Sequence, residues 1–189
     1  MAIIIERKQL LKELISKRWN GKVKIITGKR RSGKSFLLST LYKNYLLKEG
    51  ASEDNIIEIA LDKDEHSPYR NPRVLSSYVK EKTNDHSQKY YVFIDEIQLS
   101  YKVKNTDLDE SSVPEEDREL LYTTFYDVLN DLRMQDNLDI YVTGSNSKML
   151  SKDIVTNFRD RGSEVKVFPL SFREFYGRVK LKAERITLV

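Results

Sequence analysis

Eight residues, GKRRSGKS from Gly28 to Ser35, have the types and spacing that grip phosphate. In a G-x-x-x-x-G-K-[ST] run the two glycines, Gly28 and Gly33, let the backbone curl so that successive N–H groups converge on an anion. The helix that follows points its positive end at the same place. Lys34 can then reach the β- and γ-phosphates of a nucleoside triphosphate, and the Ser35 hydroxyl can ligate Mg²⁺. Arg30, Arg31, Ser32 and Phe36 complete the set expected to meet the nucleotide. This run by itself implies binding, not bond breaking.

Three further segments could supply the rest of the chemistry. Tyr90 to Gln98 (YYVFIDEIQ) is a hydrophobic run ending in Asp95-Glu96, and Asp95 follows Lys34 by 61 residues. Asp95 would hold Mg²⁺ through its water shell and Glu96 would polarise an attacking water, the group that hydrolysis needs and binding does not. Tyr141 to Ser147 (YVTGSNS) ends a second apolar run in polar residues that can contact a γ-phosphate; Asn146 is the first choice and Ser145 the alternate. In Phe158 to Gly162 (FRDRG), Arg161, with Arg159 second, could stabilise transferring phosphoryl charge, in cis or from a neighbouring subunit.

The elements that must position these residues alternate in type. Residues 7–18 space Leu10, Leu11, Leu14 and Ile15 as an amphipathic helix. Val23–Thr27 is a β-branched strand, 34–48 a helix stopping at Gly50, and Ile56–Leu61 a second strand. A polar loop over 62–71 precedes a short helix over 73–82. Tyr90–Ile94 has the continuous apolar character of a strand covered on both faces. Residues 99–117 are polar and acidic, expected as an exposed, mobile loop. A helix is expected over Asp117–Met134, then strands at Leu138–Thr143 and Val165–Phe168, and a helix beginning in Ser171–Tyr176. Such alternation implies right-handed crossovers and a parallel sheet with helices on both faces.

Composition narrows the classes. There is no cysteine among the 189 residues, which removes disulfides and thiolate chemistry. His66 and His86 lie in polar stretches and read as surface residues, not zinc ligands. No apolar run approaches a membrane span, and the start lacks the features of a signal peptide, so a cytoplasmic location is expected. The net charge of +4 hides an asymmetry: residues 1–43 carry 12 Lys/Arg against 2 Asp/Glu, whereas residues 44–139 carry 11 against 22. Basic ends converging on one face would attract phosphates. A nucleic acid is a conceivable partner on that ground, although no RNP, helix-turn-helix or zinc-finger signature accompanies it.

In combination, the loop KIITGKRRSGKS, the IDEIQ, TFYDVLN and VTGSNSKMLS segments, the FRDRG block and VFPLSFREF resemble a family of uncharacterised bacterial and archaeal AAA-superfamily ATPases. The resemblance implies a P-loop NTPase of ASCE/AAA type, an α/β fold of three layers (α/β/α), with a parallel five-stranded sheet of order 5-1-4-3-2. It implies Lys34 and Ser35 at phosphates and metal, Asp95 and Glu96 as the Walker B pair, Asn146 near sensor 1, and Arg161 as the arginine of the last block. Asp160 stands where the family commonly has glycine, which weakens that last assignment. Family members continue into a helical lid and a C-terminal domain. Residues 1–20 are thus expected as a helical lead-in, 21–170 as the ATPase core and 171–189 as the start of a lid, with weak affinity and slow turnover for a core alone. The expected function is Mg²⁺-dependent ATP hydrolysis, with ATP and ADP as ligands and a homo-oligomer or protein partner to be driven. The alternative is a nucleotide-switched interaction module that scarcely turns over.

Overall fold

The computed structural model describes residues 5–145, 158, 161–172 and 174. Among them, five strands form one parallel sheet: β1 (Val23–Gly28), β2 (Ile56–Ala60), β3 (Tyr90–Asp95), β6 (Leu138–Ser145) and β7 (Gly162–Val167), in the order β2-β3-β6-β1-β7. Counted along the chain without the small hairpin described below, this is 2-3-4-1-5, the expected 5-1-4-3-2 read from the other edge. The interior strand β1, between β6 and β7, is buried at all six residues, as a strand beneath two helical layers should be.

Alternation along the strands sorts the core into two layers. Val23 and Ile25 of β1, with Val92 and Ile94 of β3, face Leu75 and Val79 of helix α4 (Pro72–Lys82) and Leu129 and Leu132 of α5 (Phe125–Leu132). On the other face, Ile26, Phe93 and Tyr141 meet Leu14 of α1 (Lys8–Ser16) and the rod after the P-loop. That rod runs as α2 (Lys34–Phe36), a π-helical stretch (Leu37–Tyr42) and α3 (Lys43–Lys48). The lead-in helix therefore shares a core with the strands. No helix among the described residues is long and apolar enough to cross a membrane.

Four expectations need correcting. The helix expected from Asp117 starts at Phe125: Thr124 is its N-cap, with Asp127 accepting from the Thr124 N–H at 2.8 Å, and that capping box fixes the start. Upstream of it, Glu115–Leu121 is a 3-10 turn leading into β5 (Tyr122–Thr123). β5 pairs antiparallel with β4 (Val103–Lys104), so the acidic 99–117 segment is partly ordered rather than a plain loop. The last strand begins at Gly162, three residues before Val165, because its polar first residues pair with β1 at the sheet edge. The 62–71 loop likewise contains a 3-10 stretch, Asp64–Arg70.

Candidate functional site

The parallel sheet delivers its strand ends to one edge, and the P-loop leaves β1 there. Gly28 is dictated by crowding: a Cβ on it would run into the Val167 carbonyl oxygen and come within 2.8 Å of Ser32 Oγ. Gly33 is dictated by backbone, at φ 92° in the left-handed region. Between them Lys29 accepts from the Ser32 N–H at 3.1 Å, and Arg31 takes a left-handed φ of 65°. The first turn of the following rod leaves backbone N–H groups without helical partners.

Within this loop Lys34 is buried, at 4 % exposure, and its ammonium donates to the carbonyls of Gly28 and Lys29, both at 3.3 Å. These bonds are long and use two of its three donors. Ser32 Oγ is buried with no hydrogen-bond partner among the described residues. Ser35 is exposed, and Phe36 is 40 % exposed; Arg30 and Arg31 are exposed on the loop's crest. A curled backbone, an under-used ammonium and an orphaned hydroxyl fit an anion held at the loop.

Asp95 and Glu96 lie two strands away across β6, and Thr143 on β6 binds both. Its hydroxyl donates to Asp95 Oδ1 and accepts from the Glu96 N–H, the latter at 3.1 Å. Glu96 has a left-handed φ of 56°, a conformation rare for glutamate, and the Thr143 bond helps to hold it there. Gln98 Nε2 donates to Glu96 Oε2, and Gln98 Oε1 accepts from the Ser145 N–H at 3.3 Å. A cavity of about 660 Å³ opens beside these groups, lined by Lys29, Arg30, Asp62, Glu96, Gln98, Leu99 and Ser145. The structure thus brings the loop crest and Glu96 to one cavity. Sequence reasoning did not single out Thr143 or Gln98. The adjacency of β3 and β6 could have suggested a polar residue opposite Asp95-Glu96.

Arg161 stands elsewhere. It is exposed and immediately precedes Gly162, whose register partner is Val23 at the start of β1. Five residue steps separate Val23 from Gly28, about 16 Å along a strand, so Arg161 sits at the end of the strands opposite its own P-loop. The flanking residues of that block are structural: Phe158 is fully buried, and a Cβ on Gly162 would come within 2.8 Å of Ile25 Cδ1. Asn146 and Arg159 lie outside the described residues. Among the described residues no three His, Asp or Glu side chains gather as a metal cage.

Comparison with known proteins agrees with this fold. An uncharacterised protein of Haemophilus influenzae is 31 % identical over 172 residues, 91 % of this chain and 37 % of that protein; the chain thus spans little more than a third of its relative. Among solved structures, PCH-2 of C. elegans superposes with a TM-score of 0.56 at 17 % identity, covering 96 % of this chain and 44 % of that one. AMPPCP-bound DnaA from Aquifex aeolicus gives 0.50 at 17 % identity, covering 97 % and 53 %. These two likenesses carry the fold. The sequence profile of the family described as "AAA domain" matches residues 20–176, and the chain belongs to that AAA-domain family.

Proposed function

We propose that this chain binds ATP with Mg²⁺ at the P-loop and transfers the γ-phosphoryl group to water. The observation that carries the reading is the Thr143 hydroxyl, which ties the Asp95 carboxylate and the Glu96 backbone together while Glu96 is among the residues lining the cavity beside the loop crest. Backbone N–H groups from Gly28 to Ser35, with Lys34, hold the phosphates. Ser35 and Asp95 would hold Mg²⁺, which neutralises charge between the β- and γ-phosphates when bound. Glu96, oriented by Gln98, accepts a proton from water as the water oxygen bonds to the γ-phosphorus and the bond to the ADP oxygen breaks. Asn146, one residue beyond the end of β6, is assigned the γ-phosphate contact, with Ser145 as alternate. Arg161, at the far end of the strands, can serve only the nucleotide of a neighbouring copy.

A second reading, an ATP switch with negligible turnover, is favoured by one feature: the Glu96 carboxylate is already engaged by Gln98. Phosphate release from ATP and from GTP, with and without Mg²⁺, for wild type and Lys34→Ala, tests the primary reading. ATP- and Mg²⁺-dependent release that disappears in Lys34→Ala is expected; release that survives Lys34→Ala would refute the assignment of the site.

A further inference from the structure

Arg7 has no part in the chemistry above, yet its side chain is only 8 % exposed and every nitrogen of its guanidinium is engaged. Nη1 donates to the Ser32 carbonyl at 3.0 Å, Nη2 to the Phe168 carbonyl at 2.8 Å, and Nε to Glu174 Oε1 at 3.3 Å. Its backbone is left-handed, φ 42°, at the N-cap of α1. Arginine seldom adopts that conformation, and surrounding contacts must over-determine it.

The three acceptors belong to three parts of the chain. Ser32 is in the P-loop. Phe168 directly follows Val167, whose carbonyl fills the space where Gly28 would carry a Cβ. Glu174 belongs to the helix start at Ser171. Its Oε2 accepts the Ser171 N–H at 2.8 Å and hydroxyl at 2.9 Å, while Ser171 Oγ accepts the Glu174 N–H at 3.2 Å. That reciprocal pair is a capping box, the device that fixes where a helix begins. The Ser171 bonds, with the Arg7 guanidinium beside them, hold the Glu174 carboxyl below the usual glutamate value, so it is an anion at neutral pH. The guanidinium meets the three acceptors from three separate nitrogens in a planar fork, whereas an ammonium would have to gather all three around one atom.

We propose that Arg7 is a positioning residue coupling the P-loop to the capped helix start at Ser171–Glu174, so that nucleotide at the loop stabilises that start through the guanidinium. The proposal rests on the reading of the loop as an ATP site. The route is short: the loop carbonyl and the capping glutamate share one side chain, and the second contact, Gly28 against Val167, runs in the same direction.

Amide hydrogen exchange on the whole chain, with and without ATP and Mg²⁺, tests it in wild type, Glu174→Gln and Arg7→Lys. In wild type ATP should slow exchange in the loop, 29–36, and in 168–174, the latter by about fivefold or more, the low end of measured couplings. In Glu174→Gln the loop should remain protected while the ATP response at 168–174 is lost. Arg7→Lys should lose that response too, with weaker protection of the loop. A purely structural role for Arg7 would raise exchange at 168–174 equally with and without ATP, leaving the ratio intact, and that result overturns the coupling. An unresponsive 168–174 in wild type beside a protected loop overturns it as well. Absence of protection at 29–36 in wild type overturns the ATP reading itself, and the coupling with it.

Discussion

The two ends of strand β6 carry polar clusters on the same face of the sheet, and they are in opposite states. Asp139, Tyr141 and Thr143 alternate along that face. At the start of the strand, the Asp139 carboxylate accepts from Lys24, from the Tyr141 hydroxyl at 2.7 Å and from the Trp19 N–H at 3.1 Å. Tyr141, whose hydroxyl donates to Asp139, accepts in turn from Tyr42 at 2.6 Å. Lys24 and Asp139 are both 1 % exposed. Burial pulls the Lys24 ammonium below the ordinary lysine value although Asp139 opposes that shift, and burial pushes both phenols up. At the other end, Thr143 joins Asp95 and Glu96, but Ser32 Oγ stays orphaned and Glu96 lines a cavity. One cluster is closed and satisfied within the chain. The other keeps capacity for something else. Polar residues in the core therefore do two different jobs here: one fixes the packing of the P-loop rod through Tyr42, and the other is held ready for a ligand.

Removing a partner from the closed cluster should have the largest effect on stability. Asp139→Ala strands a buried ammonium and two donors, and should lower stability by about 3–5 kcal/mol in a denaturant titration. Lys24→Met combined with Asp139→Leu should recover much of that loss, because two apolar side chains leave no uncompensated charge. A single variant as stable as wild type would mean the closed cluster is not what the contacts imply.

Thr143→Val should invert the balance. It removes one acceptor and one donor at a half-buried pair, about 1–3 kcal/mol of stability, yet it should suppress phosphate release much further than Asp139→Ala does per folded molecule. Equal specific activity in the two variants would erase the contrast between the ends. Gln98→Ala should be milder, with little change in melting temperature and a fall in turnover of about tenfold, since Glu96 loses the amide that orients its carboxylate. A rise in turnover would favour the switch reading, with Gln98 restraining Glu96.

The smallest effect is electrostatic and lies outside both clusters. Because the folded-state carboxyl of Glu174 is depressed below 4.5, its contribution is complete above that value and fades as pH falls through the folded-state pKa. The stability difference between wild type and Glu174→Gln should therefore shrink below pH 4.5. It should not exceed about 1 kcal/mol at neutral pH, because Glu174 is 33 % exposed and screened by solvent. A difference that grows on acidification would contradict the assigned contacts.

The same contrast marks what could be read from the chain alone. The loop from Gly28 to Ser35 between a strand and a helix was legible because its curvature demands glycine, and Asp95-Glu96 stood out as the end of a continuous apolar run, whereas the strand order came from the family resemblance. The closed cluster was not legible, since Lys24 and Asp139 are 115 residues apart and each resembles an ordinary surface charge until β1 and β6 are paired. Thr143 and Gln98 escaped for the same reason: a threonine in a strand is unremarked until its neighbour proves to be Asp95. The position of Arg161 depends on register, because only the pairing of Gly162 with Val23 puts it at the far end of the strands. The start of α5 was misjudged because Leu121 continues the helical spacing, whereas the Thr124–Asp127 cap, a local hydrogen-bonding preference, decides the boundary.

In the proposed reaction Glu96 activates water at a site whose binding parts are separate from it. Nucleotide affinity and single-turnover phosphate release for wild type and Glu96→Gln, measured on the same preparations, test this most directly. Affinity should be unchanged within a few-fold while release falls by about 10²–10⁴-fold, the range for loss of a general base. Release at the wild-type rate in Glu96→Gln would contradict it.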